Sequence, residues 1–158
     1  MIGRAMHVTD SFGLVPHPDT PCAAVREVRV TVTRGHDLQL DFRVVGDAAA
    51  IRWPARSGPD RTDGLWRHTC FEAFVSDGTG YRDGMRDAPA TIAIVPYDTG
   101  LSATIAADLP ATGRLGLSAV IELVDGSKSY WALAHPPGAP DFHAPACFAA
   151  ELPAPRGA

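Results

Sequence analysis

The sequence predicts an all-β antiparallel sandwich or barrel, and three observations support this fold class. Apolar and polar residues alternate with a period of two in several short stretches, as they do on half-buried strands. Turn signals separate these stretches at spacings of roughly 8 to 12 residues. No segment has the longer period of an extended amphipathic helix. We therefore expect about nine short strands.

Three hairpins account for most of these strands. Residues 25–33 and 37–45 alternate on either side of an RGHD turn, and residues 92–105 repeat this plan around a turn rich in Pro, Asp and Gly. The third hairpin joins residues 115–123 to residues 130–134 through an Asp-Gly dipeptide, which favours tight turns. Three further strands are expected in AAIRW, RHTCFEAFV and ACFAAEL, which are residues 49–53, 67–75 and 146–152.

Length and charge limit the classes of protein that the chain could be. One domain is expected over residues 1–158, with an ordered core over about residues 12–153, because the chain is too short for two well-packed cores. The formal charge is −4 and the basic residues are scattered. We therefore expect no nucleic-acid partner and no membrane partner. No signal peptide or membrane-spanning segment is recognisable, which predicts a cytoplasmic protein.

The stretch TDGLWRHTCFEAFV, residues 62–75, combines strand character with an unusual set of polar residues. Side chains on a strand point alternately to opposite faces, and Trp66 stands at the entrance to this strand. An ionised glutamate buried alone would cost several kcal/mol, so Glu72 needs a partner or water. The core face would hold Thr69, Phe71, Ala73 and Val75, and the opposite face His68, Cys70, Glu72 and Phe74.

A metal site is one interpretation of this polar face. Imidazole, thiol and carboxylate groups from the strand could be joined by others from a later loop. Zinc ligands usually occur in closely spaced pairs, and the sequence has no such pair. We therefore expect no metal. The candidate ligands in this alternative are His68, Cys70, Glu72, His135, His143 and Cys147.

Catalysis is a second interpretation. A thiol in the middle of a sheet is usually buried and inert, which disfavours Cys70 as a nucleophile. Glu72, His68 or Asp141 could serve as an acid or a base in glycoside chemistry, but nothing in the sequence fixes the separation of two carboxylates. We expect no catalytic residue.

A second dense stretch, SYWALAHPPGAPDFH, covers residues 129–143. Trp131 and His135 share one face of its strand, and the Pro-Pro-Gly loop that follows ends near Asp141 and His143. A sugar ring stacks its C–H face on an aromatic plane and offers its hydroxyls to polar side chains. The alternative is structural, because a sandwich tryptophan is often a core residue and Asp141 and His143 could fix their own loop.

The first of these stretches and the longer segment LGLSAVIELVDGSKSYWALAHPPGAPDFH, residues 115–143, together resemble the bacterial DOMON-like domain proteins, a group similar to the family-nine carbohydrate-binding modules. The segments LVPHPDTPCAAVREVRVTV and CFAAEL are similar to that group too. The resemblance implies a β-sandwich of the jelly-roll or immunoglobulin-like kind. It also implies a ligand, because better-understood members of the superfamily bind sugars or haem and have no catalytic activity of their own. Haem would need ligands such as Met6, Met85 or one of the six His, none of which forms a recognisable pair.

The chain departs from this family after Val75. Members usually continue with a strand rich in Tyr and Phe, a turn and a return strand containing Trp, whereas here a Gly-rich turn leads directly to Tyr81. The missing strand pair would be on the order of fifteen residues long. We therefore expect one incomplete sheet, an exposed edge on the strand that carries His68 and Glu72, and reduced stability.

These observations predict a non-catalytic module that binds a small ligand, with a carbohydrate favoured over haem. An interaction module or a remnant without a ligand is the remaining alternative. Stacking surfaces would come from two tryptophans and hydrogen bonds from polar residues of both stretches. The predicted binding residues are Trp66, Arg67, His68, Glu72, Trp131, His135, Asp141 and His143.

Overall fold

The structure of the chain is a computed structural model that describes residues 8–55, 64–77, 91–97, 99–106 and 109–155. These residues form an all-β fold, as predicted, whose helical segments are three short 3₁₀ turns at Ala48–Ala50, Leu65–Arg67 and Pro145–Cys147. None of its helices is long and apolar enough to cross a membrane, as far as the described residues go. The strands are β1 (Val8–Pro16), β2 (Val25–Arg34), β3 (Leu38–Gly46), β4 (Cys70–Ser76), β5 (Thr91–Tyr97), β6 (Gly100–Ala106), β7 (Arg114–Glu122), β8 (Lys128–Ala132) and β9 (Ala150–Glu151).

The strands run in the order β4-β7-β8-β1-β2-β3-β6-β5, all pairs are antiparallel, and β9 pairs with β7. β1 belongs to both halves of this order, because its first part pairs with β2 and its last residues, Val15 and Pro16, pair with β8. Sheet one is therefore β1, β2, β3, β6 and β5, and sheet two is the end of β1 with β8, β7, β4 and β9. The sheets pack face to face, since the ring centroids of Phe42 on β3 and Phe71 on β4 lie 5.0 Å apart.

The core lies between the two sheets and follows the predicted alternation. Val28, Val30 and Val32 on β2 and Leu40 on β3 are buried, whereas the residues between them are half-buried or exposed. Burying one such side chain contributes about 1.5–3 kcal/mol to folding. β7 is different, because every residue from Leu115 to Glu122 is buried.

All three predicted hairpins are present as β2–β3, β5–β6 and β7–β8. The Asp-Gly turn of the third is well formed: Gly126 has a φ of 86°, a left-handed conformation that favours glycine. Asp125 Oδ1 accepts a hydrogen bond of 2.8 Å from the backbone N–H of Ser127. Glu122 then pairs with Lys128, so that β8 begins directly after the turn.

Four strand predictions need correction. Residues 49–53 form part of a 3₁₀ turn and a single bridge between Ile51 and Leu123. Residues 67–75 become a strand only from Cys70, because Leu65–Arg67 coil into a 3₁₀ turn. The return strand ends at Ala132 rather than at residue 134, and the closing strand has two residues.

β1 was not predicted, because one of the alternate positions that should face the core is Asp10, which is exposed. Leu14 is the one buried residue among Thr9–Pro16. β4 lies at one end of the strand order, and its partner among the described strands is β7. Residues 78–90, where a strand pair is expected to be missing, lie outside the described residues, as do Met6 and Met85.

Candidate functional site

The outer face of sheet two forms the floor of the candidate site. Because β4, β7 and β8 are paired in register, Glu72 lies beside Ser118, and Cys70, Val120 and Tyr130 form the neighbouring row. The alternate residues of β4, including Phe71, pack into the core, as predicted. The outer face of a sandwich sheet is usually wet, yet Ser118 and Val120 are buried here, so other parts of the chain must cover it.

In the described part of the chain, two segments lie over this face: the 3₁₀ turn Leu65–Arg67 and residues 135–149, which we call the covering loop. Phe74 on β4 contacts two rings of this loop, with ring centroids 4.9 Å from His143 and 6.2 Å from Phe148. Phe148 also lies against β7 at Gly116, where a Cβ atom would be 3.5 Å from the Phe148 ring. A Cβ at this distance would be in ordinary van der Waals contact with the ring, so the loop lies directly against the sheet at Gly116.

A cleft of about 260 Å³ lies between the floor, the 3₁₀ turn and the covering loop. Four predicted binding residues line this cleft, namely Trp66, Glu72, Asp141 and His143. The other four predicted residues lie elsewhere. The described residues of the lining are Trp66, Glu72, Val120, Tyr130, Pro140, Asp141, Phe142 and His143.

Glu72 has the partner that its position required. Its Oε2 accepts a hydrogen bond from Ser118 Oγ at 3.5 Å, at the long limit for such a bond. Burial raises the pKa of the Glu72 carboxyl, while the charge of nearby His143 and the Ser118 hydrogen bond lower it. Burial is the largest of these effects, so Glu72 is a partly dehydrated carboxyl group with one weak neutral donor.

Asp141 and His143 both line the cleft and fix their own loop. The backbone N–H of His143 donates to Asp141 Oδ1 at 3.0 Å. The thiol of Cys147 donates to the Asp141 carbonyl at 3.1 Å. The structural role considered for these residues is therefore present, and it holds their side chains at the cleft.

His135 lies outside the cleft lining and fastens the start of the covering loop. Its Nε2 donates to the Val15 carbonyl at 2.8 Å. Burial lowers the pKa of the His135 imidazole, which favours the neutral ring. The structure thus gives His135 a role in positioning the loop, and its role in ligand binding stays a prediction.

His17, which was not a candidate in the sequence, also holds the covering loop in place. Its Nδ1 accepts from the backbone N–H of Asp19 at 3.1 Å, so its Nε2 carries the proton and donates to the Gly138 carbonyl at 2.8 Å. His17 is only 2% exposed, and its ring meets that of His135 edge to face at 4.9 Å.

His68 and Arg67 lie beside the cleft rather than in its lining. His68 Nδ1 donates to Glu122 Oε2 at 2.9 Å, and the other oxygen of this buried carboxylate is 3.4 Å from Arg52 Nη1. Glu122 was not among the predicted site residues, although it interrupts an apolar run in the sequence. Arg67 places its guanidinium carbon 5.3 Å from the Trp66 ring centroid, a cation–π contact.

The prediction that Trp131 forms a stacking surface is wrong. Trp131 is 3% exposed, belongs to the core cluster, and donates from Nε1 to Ser129 Oγ at 2.9 Å. Its predecessor Tyr130 lines the cleft instead, because adjacent residues of a strand face opposite ways. Trp66 is 56% exposed and does line the cleft.

The metal and thiol alternatives gain no support within the described part of the chain. No group of three or more His, Cys, Asp and Glu residues there could hold a metal ion. Burial, with the neighbouring Glu72 charge, raises the pKa of the Cys70 thiol to about 12. A thiol with so high a pKa is a poor nucleophile near neutral pH.

Comparisons of the chain with protein-family models, with curated proteins and with solved structures give no match.

Proposed function

We propose that the chain is a non-catalytic module that binds a small carbohydrate in the cleft. The observation that carries this proposal is the lining itself, in which the rings of Trp66, Tyr130 and Phe142 stand beside the polar side chains of Glu72 and Asp141. Aromatic planes next to hydrogen-bonding groups suit a sugar ring, which has an apolar face and a polar rim.

The size of the cleft favours a small ligand. Its volume of about 260 Å³ is below the roughly 300–1,000 Å³ of pockets that take drug-sized molecules. One sugar ring, or the end of a longer glycan, is in the expected size range. Haem is much larger, so the cleft gives the haem alternative no support.

The resemblance to DOMON-like proteins and family-nine carbohydrate-binding modules supports the same proposal. The segments that carry this resemblance, residues 62–75 and 115–143, contribute every described residue of the lining. The chemistry of the lining and the sequence resemblance therefore favour the same class of ligand.

Tryptophan fluorescence and calorimetry with a panel of mono- and oligosaccharides test this function. Trp66 is the one tryptophan of three that lines the cleft, so binding should change its emission. Trp66→Ala should weaken binding about tenfold or more, because stacking on an aromatic ring contributes on the order of 1–3 kcal/mol. Leu65→Ala is the matched control, since Leu65 is an equally exposed neighbour outside the lining. Absence of binding across the panel, or equal loss in both variants, would contradict the proposal.

A further inference from the structure

The charge of the cleft lining is asymmetric. Among the described residues, the lining contains two carboxylate side chains, Glu72 and Asp141, and one imidazole, His143, with neither Lys nor Arg. Neutral sugars can use uncharged hydrogen-bonding groups as well as carboxylates, so they do not require two acidic side chains in the lining. A ligand that carries a positive charge as well as a sugar ring would use this asymmetry.

Glu72 is the carboxylate best placed to select such a charge. It stands on the sheet floor at a fixed register beside Ser118, and its one side-chain hydrogen bond in the described part of the chain is the 3.5 Å contact with that hydroxyl. The charge of nearby His143 also favours the carboxylate, but a neutral donor at 3.5 Å compensates a partly buried charge poorly. An ammonium group would donate a shorter, charge-assisted hydrogen bond.

The aromatic walls favour a cation as well. Trp66 and Tyr130 line the cleft beside Glu72, and the faces of such rings attract ammonium and guanidinium groups. Trp66 already makes one contact of this kind, with the guanidinium of Arg67. Rings that border a carboxylate form the type of pocket that recognises alkylated amines.

We infer that the preferred ligand of the cleft is an amino sugar, a monosaccharide unit whose protonated amine donates to Glu72 while its ring lies against Trp66 or Tyr130. This inference rests on the proposed carbohydrate-binding function and specifies its ligand. It assigns Glu72 the role of selecting the amine and leaves stacking to the aromatic side chains.

Calorimetry with matched pairs of sugars tests the inference. Glucosamine, galactosamine and mannosamine are each compared with glucose, galactose and mannose at about pH 6.5, where an amine of this type is protonated. At least one amino sugar should bind about tenfold more tightly than its neutral counterpart, because hydrogen bonds to charged groups are about twice as strong as neutral ones. The N-acetyl derivative of that sugar, which keeps the nitrogen but loses the charge, should lose this advantage.

Glu72→Gln supplies the second measurement. This change keeps the size of the side chain and removes its charge, so the ratio of the affinities for the amino sugar and its neutral counterpart should fall to about one. Glu151→Gln removes the same charge from exposed β9 and should keep the preference. The far-ultraviolet circular dichroism of both variants should match that of the wild type.

The possible outcomes separate this inference from the proposed function. If amino and neutral sugars bind equally well, or if Glu72→Gln keeps the preference, the amino-sugar inference is wrong and the carbohydrate function stands. If no sugar of either kind binds, both are wrong.

Discussion

The hairpins β2–β3 and β7–β8 follow the same plan but differ in how many of their faces are buried. In β2–β3, Val30 and Leu40 face the core while Arg29 and Gln39 lie exposed on the other side. In β7 both faces are buried, because the covering loop lies on the outer one. Polar groups on a doubly buried strand must find partners within the protein. The candidate site therefore lies where a second face of one sheet is covered by other parts of the chain.

The largest expected difference in stability is between variants of Trp131, which lies in the core, and Trp66, which lies at the cleft. Trp131→Ala should lower the free energy of unfolding by about 3–5 kcal/mol, because it removes a large buried side chain from the core. Trp66→Ala should change it by less than about 0.5 kcal/mol, since Trp66 is largely exposed. Urea denaturation measures both. Similar losses in the two variants would mean that the two tryptophans do not have these different environments.

The next largest effect is expected from removing the His17 hydrogen bond that holds the covering loop. His17→Ala should cost about 2 kcal/mol, because it leaves the Asp19 N–H and the Gly138 carbonyl without their partner. Amide hydrogen exchange should accelerate in the covering loop and stay unchanged in β2–β3. The control is His36→Ala, at an exposed turn. If exchange in the loop is unaffected, His17 does not hold the loop on the sheet.

The smallest effect compares Glu72 with Glu122 through the pH dependence of stability. Burial raises the pKa of Glu72, so ionisation of this carboxyl opposes folding. The free energy of unfolding should therefore decrease as the pH rises above the ordinary carboxyl pKa of about 4.3. The hydrogen bond from His68, the largest effect, lowers the pKa of Glu122. Ionised Glu122 therefore stabilises the fold above the ordinary carboxyl pKa of about 4.3. This stabilisation is lost as the pH falls through the lowered pKa of Glu122.

Glu122→Gln should accordingly lower the free energy of unfolding near neutral pH, and the loss should shrink in acid. Glu72→Gln should leave stability unchanged or raise it near neutral pH, again with a smaller difference in acid. Chemical denaturation over a pH series checks both variants. The same sign for the two substitutions at neutral pH would contradict the assigned environments.

The sequence predicts the strands whose residues alternate between core and solvent, such as Val28 to Val32, because each side chain then reports its own face. The alternation of side chains along a strand also shows that Trp131 and Tyr130 face opposite sides of the sheet. It does not show which of them faces the core when the neighbouring strand β7 is buried on both sides. The choice of Trp131 as a stacking surface was wrong for this reason.

The contacts that build the site were not predictable, since they join residues far apart in the chain. His17 and Gly138 are 121 positions apart, and His68 and Glu122 are 54 apart. A single histidine among prolines, or one glutamate in an apolar run, has no local pattern that reveals its partner. Glu72 could be predicted, because a carboxylate on an otherwise apolar strand requires compensation wherever the strand lies.

The most direct measurement of the central claim is a titration of the wild-type protein with glucosamine, followed by the amide chemical shifts of the whole chain. A ligand in the cleft should produce saturable shifts at Trp66, Glu72, Tyr130 and the covering loop, and should leave the β2–β3 hairpin unchanged. Shifts concentrated on the β2–β3 hairpin, or no saturable shifts at the cleft, would contradict the account.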